Sequence, residues 1–242
     1  MPKTKKSPNY LKFILIVIGS IFIILGLLAV FTNPSEKEID DQLSSILKNF
    51  PAAPKIETAN LISYVKKNII TEPVIYKTSP VLGEAGAPIT IFEFSCFGCP
   101  ASRDSQPVLK QVLEKYAGQV KLIWKDLPLP DLYPGSELAH LAARCAQNQD
   151  KFWPYQAELW TNQNDFSLAN LKKIGQDVGL DADELATCVK AGELRKLIDA
   201  DVSEAAQLLI SGAPHFYINS QEIFGLAALK DFEKIIEAEL NR

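Results

Sequence analysis

Residues 89–99 read Ile-Thr-Ile-Phe-Glu-Phe-Ser-Cys-Phe-Gly-Cys, a β-branched and aromatic run that ends on two cysteines three positions apart. Pro100 follows, well placed to open a helix because the first helical residue needs no N–H donor. Apolar residues at helical spacing continue to about residue 116, and a second β-rich run follows at 120–125, Val-Lys-Leu-Ile-Trp-Lys. A strand, a helix and a strand of these lengths predict a parallel pair joined by a crossover, with the thiols at the carboxyl end of the first strand. The pair can exchange disulfides, hold a metal, or form a fixed bridge. A zinc site needs about four ligands. No second Cys-x-x-Cys is present, and His140 and His215 are the only histidines, so no metal is expected. Redox chemistry is the leading reading, since a thiolate is favoured near a helix N-terminus.

The amino end bears on compartment. Residues 1–12 carry four lysines and no acid, and the unbroken apolar run Phe13–Phe31 follows. Nineteen helical residues rise roughly 28 Å, about the thickness of a bilayer core. The basic flank predicts a cytoplasmic N-terminus with the rest of the chain outside. A cleaved signal peptide is the competing reading, but its apolar core is usually shorter. The remainder holds 21 basic and 29 acidic residues, a formal charge of −8, which argues against nucleic-acid binding. Four cysteines, an even number, agree with an oxidising compartment.

Residues 32–78 read as a helical stalk or linker. Ser35 and Glu38 suggest a capping box. Ile39, Leu43, Ile46, Leu47 and Phe50 form one apolar stripe, and a second helix is expected near 57–70. Residues 79–242 form the globular domain. Its expected elements are strand 89–95, helix 100–116 and strand 120–125, then helices near 135–148, 150–162, 167–178, 182–190 and 193–210. Strands near 215–219 and 222–224 and a helix at 226–240 complete it. Phe152, Trp153, Tyr155 and Trp160 read as core of the helical stretch, and His140 reads as structural, on a helix beside Leu138 and Leu141.

The order strand, cysteine motif, helix, strand, helical stretch, Gly212-Ala213-Pro214, hairpin and helix resembles the DsbA-like branch of the thioredoxin superfamily. The likeness covers about residues 80–242 and includes Glu93-Phe94-Ser95, Lys125-Asp126-Leu127-Pro128-Leu129 and Lys151-Phe152-Trp153. It implies an α/β thioredoxin-like fold with a mixed four-stranded sheet and a helical insertion at about 127–211, and a cis bond before Pro214 against the active sulfur. Family members usually place their first cysteine by a preceding Glu-Phe and a proline eight residues later. Both anchors, Glu93-Phe94 and Pro107, select Cys99. The second family cysteine then falls on Ser102, and Cys96 lies three residues before the usual nucleophile. In this register Cys99 is the helix N-cap, its sulfur expected to face unpaired helix N–H groups. Two orders of attack stay open: Cys99 as activated sulfur with Cys96 as its disulfide partner, or Cys96 as nucleophile with Cys99 resolving.

The resemblance assigns further expectations. Glu93 is a buried carboxylate that moves protons. Ala213 and Pro214 present backbone to an extended substrate, and His215 contacts substrate or tunes the sulfur. Ser102 supports the redox pair through its hydroxyl. Apart from the resemblance, Cys145 and Cys188, both in the helical stretch and far from the motif, read as a second, structural disulfide closing a 43-residue segment, with two buried free thiols as the alternative. Together these imply a membrane-tethered, extracytoplasmic thiol:disulfide oxidoreductase without cofactor or metal, acting on exported polypeptides and recycled by a membrane redox partner. A reductase or isomerase, or a non-catalytic peptide-binding module with a fixed Cys96–Cys99 bridge, are the alternatives.

Overall fold

The computed structural model of the chain describes residues 70–242. The basic N-terminus 1–12, the apolar run 13–31, the capping box and the two expected stalk helices lie outside the described residues, apart from the last residue of the second. Among the described residues, no helix is long and apolar enough to cross a membrane.

Five strands form one sheet in the order β1-β3-β2-β4-β5. The central strand β2 (Ile89–Ser95) runs parallel to β3 (Val120–Asp126), with Ile91 opposite Leu122 and Glu93 opposite Trp124. The crossover between them is α1 (Pro100–Lys115). On its other side β2 pairs antiparallel with β4 (His215–Ile218), which turns into β5 (Gln221–Phe224) through Asn219, at φ 52°. The expected four-stranded sheet gains a fifth, edge strand, β1 (Val81–Leu82), antiparallel to Leu122–Ile123. Two exposed residues carry no periodicity that a sequence pattern registers, so β1 is legible only once β3 is in place.

Both faces of β2 are covered, and its residues divide by parity. Ile89 and Ile91 pack with Leu109 and Val112 of α1 and with Phe232 and Ile236 of α7 (Leu229–Leu240). Phe92 and Phe94 pack on the opposite face with Ile123, Tyr217 and Ala205. The helical insertion comprises α2 (Ser136–Gln147), α3 (Phe152–Thr161), α4 (Leu168–Asp177), α5 (Ala182–Ala191) and α6 (Arg195–Gln207). It builds its own core around Leu141, Tyr155, Leu159, Leu171 and Leu185, and Trp124 of β3 and Phe97 of the cysteine turn enter that core. The cysteine turn is therefore gripped between the sheet and the insertion.

Residues 70–78, assigned to the stalk on sequence, belong to the compact unit 70–242. The Val74 carbonyl accepts from Lys125 Nζ at 2.6 Å, and the Thr78 carbonyl accepts from Arg144 Nη1 at 2.9 Å. These bonds reach buried charges of β3 and α2, which no local pattern in residues 70–78 announces.

Candidate active site

The turn Cys96-Phe97-Gly98-Cys99 joins β2 to α1. Cys99 N–H donates to the Cys96 carbonyl at 3.0 Å, which folds the two cysteines toward each other. Phe97 anchors the turn: it is fully buried, stacked on Trp124 at 4.8 Å and tilted against Trp160 at 4.8 Å. Gln163 Nε2 donates to the carbonyls of Phe97 and Cys99 at 2.6 and 3.0 Å. Gly98 is required by close approach, because a Cβ there meets Tyr133 Cβ at 2.4 Å.

Cys99 occupies the N-cap of α1, in extended conformation, with Pro100 opening the helix. The structure corrects one detail of this register. The Cys99 sulfur takes no capping hydrogen bond from the first turn of the helix. Its contacts are the Cys96 sulfur and the hydroxyls of Tyr133 and Ser102. Ser102 is fully buried and also accepts from Cys96 N–H at 3.4 Å.

Both thiols are free and buried, Cys96 completely and Cys99 at 4% exposure. Cys96 is held well below the ordinary thiol range. The Cys99 thiol hydrogen-bonds its sulfur, burial opposes ionisation, and His140 and the Leu129 backbone N–H add stabilisation. Cys99 is pushed up, because its proton is held by the Cys96 sulfur and burial disfavours a second negative charge beside the first. The thiolate of the reduced pair rests on Cys96.

His140, read from sequence as structural, lies at this site. Its Nδ1 is 2.6 Å from Asp126 Oδ1, its Nε2 is 3.3 Å from Phe97 N, and its ring meets that of Phe97 at 4.6 Å. An apolar helical neighbourhood is what an unused histidine shows too, so nothing local distinguished it. Asp126, Tyr133 and Gln163 were missed for the same reason: β3, the following loop and the insertion bring them to the turn only in three dimensions.

Glu93 is fully buried, its Oε1 accepting from Gln106 Nε2 at 2.7 Å and its Oε2 without a partner. Burial pushes its carboxyl up to about 7, against the opposing hydrogen bond of Gln106. Gln106 also donates to the Ser102 carbonyl at 3.0 Å, so Glu93 meets α1 through Gln106. The Ala213–Pro214 peptide is cis. His215 pairs with Phe94, so the next position of that antiparallel register sets Pro214 beside Ser95, one residue from Cys96. His215 is buried, 3.3 Å from a Glu222 carboxylate oxygen, and burial lowers its basicity. Cys145 and Cys188 are joined by a disulfide between α2 and α5, with Cα atoms 5.9 Å apart.

A family profile described as Thioredoxin matches residues 76–238. The Na(+)/H(+) antiporter NhaA 3 of Salinispora tropica is 31% identical over 158 residues, covering 63% of this chain and 23% of the antiporter. The chain thus spans about a quarter of that relative's length. The probable disulfide bond formation protein D of Bacillus cereus is 28% identical over 192 residues, covering 73% of this chain and 86% of that protein. Among solved structures, oxidised BdbD from Bacillus subtilis superposes with a TM-score of 0.66 at 23% identity, covering 71% of this chain and 97% of that one. The chain belongs to the thioredoxin superfamily, and it is similar in sequence to disulfide bond formation protein D and in fold to BdbD.

Proposed function

We infer that this chain is an extracytoplasmic thiol:disulfide oxidoreductase of the oxidising kind, tethered to the membrane by residues 13–31, that passes a Cys96–Cys99 disulfide to exported polypeptides. The observation that carries this reading is the position of the two sulfurs, in mutual hydrogen-bond contact at the N-terminus of α1 with the low-pKa thiol on Cys96. A disulfide is cleaved fastest when its leaving thiol has the lower pKa. A substrate thiolate therefore attacks Cys99, the less enclosed sulfur, and expels Cys96 as thiolate. A second substrate thiolate then attacks the substrate sulfur of the mixed disulfide and releases Cys99. The substrate leaves oxidised by two electrons, and the pair is reduced by two. Stabilising the reduced thiolate makes the disulfide a stronger oxidant. Pro214 and Ala213 align the substrate backbone along the sheet end, and His215 lines the same end. A membrane redox partner re-oxidises the pair.

A redox titration of the full chain, with alkylation and peptide mapping of Cys96 and Cys99, tests this. An exchange enzyme of the oxidising kind opens reversibly at about −120 to −180 mV. A bridge that persists below about −300 mV would identify a fixed structural disulfide and overturn the reading. Trapping decides the order of attack: in Cys96→Ser the mixed disulfide with substrate accumulates on Cys99. Accumulation on Cys96 in Cys99→Ser, with none in the other variant, would reverse the assigned roles.

A further inference from the structure

We propose that His140, held by Asp126, is the acid–base partner of the Cys96 sulfur, taking up the proton that lets Cys96 leave as a thiolate paired with an imidazolium. The proposal rests on the exchange reaction assigned to Cys96 and Cys99. Its basis is the arrangement of three groups from three separate elements: Cys96 from the turn after β2, Asp126 from the end of β3, and His140 from the second turn of α2. All three are fully buried.

Asp126 is fixed before the histidine is considered. Its Oδ2 accepts from Arg144 Nε at 2.5 Å, and its Oδ1 accepts from Trp124 Nε1 at 2.7 Å. Burial opposes its charge, but Arg144 and His140 outweigh that and keep the carboxyl well below its usual range. An ionised acceptor 2.6 Å from Nδ1 places the hydrogen of the neutral ring on Nδ1 and leaves the Nε2 lone pair toward the turn. There Nε2 meets Phe97 N–H at 3.3 Å and lies within hydrogen-bonding reach of the Cys96 sulfur. The ring cannot swing away, being packed on Phe97 and lying 5.9 Å from Trp124.

Nε2 therefore has two occupants. Both are within its reach while the cysteines are free, and a Cys96 held in a disulfide leaves Phe97 N–H as the partner of Nε2. When a substrate thiolate attacks Cys99, the S–S bond breaks and its electron pair stays on Cys96. Of the two protons surrendered by the substrate dithiol, one finishes on Cys99 and the other on His140 Nε2, beside the new thiolate. The return step reverses both transfers. The charged groups around His140 are Cys96 and Cys99 from the turn, Asp126 from β3 and Arg144 from its own helix. Asp201 of α6 stands behind them, 2.7 Å from Arg144 Nη2. The ring is pushed upward because the Asp126 and Cys96 bonds outweigh its burial. Forming the disulfide removes one of those two causes.

Two measurements on the full chain test this. In reduced protein, the pH profile of Cys96 alkylation, mapped by peptide, should shift to higher pH in His140→Gln. At mildly acidic pH the rate should fall tenfold or more, one decade per pKa unit lost. Thermal unfolding and retention of the Cys145–Cys188 bridge check that the variant is folded. The second measurement leaves Cys96, Asp126 and His140 unaltered. The chain has two histidines, and His215→Gln assigns their resonances. The His140 ring should titrate at lower pH in oxidised than in reduced protein. An unchanged alkylation profile in His140→Gln, or a ring indifferent to the state of the cysteines, would overturn the proposal. The alkylation profile uses reduced protein alone. A pair that refuses exchange with every thiol buffer therefore removes the function assigned above and is told apart from a failure of His140.

Discussion

At the scale of single residues, the site is set by what burial does to ionisable groups. Cys96 and Cys99 are the same residue three positions apart, yet one is driven down and the other up, since the pair carries one charge and one proton between them. Glu93 shows the opposite balance, having no cation to offset its desolvation. Its carboxyl moves from an ordinary 4.5 to about 7 in the fold. An acid raised on folding is penalised where the unfolded chain ionises it freely, so stability falls as pH rises from about 4.5 to 7 and stays lower above that. Glu93→Gln keeps an acceptor for Gln106 and removes this penalty. The variant should be more stable by about 3 kcal/mol above pH 7, with no gain below pH 4.5. It should also exchange disulfides more slowly, because a group that titrates near neutrality is lost. Urea unfolding across pH, paired with exchange rates, checks both; equal stability at all pH values would show that Glu93 ionises without cost.

At the scale of elements, the turn between β2 and α1 is held by neighbours from three sides. Pro100 and the N-cap position of Cys99 follow from local rules, and the residue order alone revealed them. The rest of the turn depends on contacts: Phe97 filling the insertion core, Gln163 binding two carbonyls, and Tyr133 closing over Gly98. The insertion that supplies these contacts is itself stapled by Cys145–Cys188 between α2 and α5. Closing a segment of 43 residues removes loop entropy from the unfolded chain worth about 4 kcal/mol. Replacing both cysteines with serine should lower stability by about that much. Because α2 also carries His140, the same variant should lose oxidising strength before the sheet unfolds. A melting curve followed at the Trp124 environment and a redox titration of the variant separate the two effects.

For the molecule as a whole, a buried ionic cluster ties the sheet to the insertion and to residues 70–80. Lys125 meets Glu204 at 2.7 Å and Asp201 at 3.3 Å, while Arg144 bridges Asp126 and Asp201. These groups come from β3, α2 and α6, and each is at most 2% exposed. Breaking one member of such a cluster leaves unpaired charge in low dielectric, typically costing about 3–5 kcal/mol. Arg144→Met should therefore destabilise the fold by about that amount in denaturant unfolding. It should also shift Cys96 ionisation to higher pH, since Asp126 loses the cation that keeps it charged beside His140. A variant as stable as the parent would show that solvent or relaxation replaces the guanidinium.

The amino-acid order alone determined the element sequence, the placing of the cysteine pair at the end of β2 and the position of Cys99 at the helix N-cap. These depend on periodicity, proline placement and spacing, which act over a few residues. Element bounds agree with the structure to within about three residues for the same reason. The edge strand β1, the docking of residues 70–80 on β3 and α2 and the assembly of Cys96, His140 and Asp126 were decided by tertiary structure. Each joins residues from separate elements, and the field around a buried sulfur is fixed by which groups the fold packs against it, a property that no local pattern encodes.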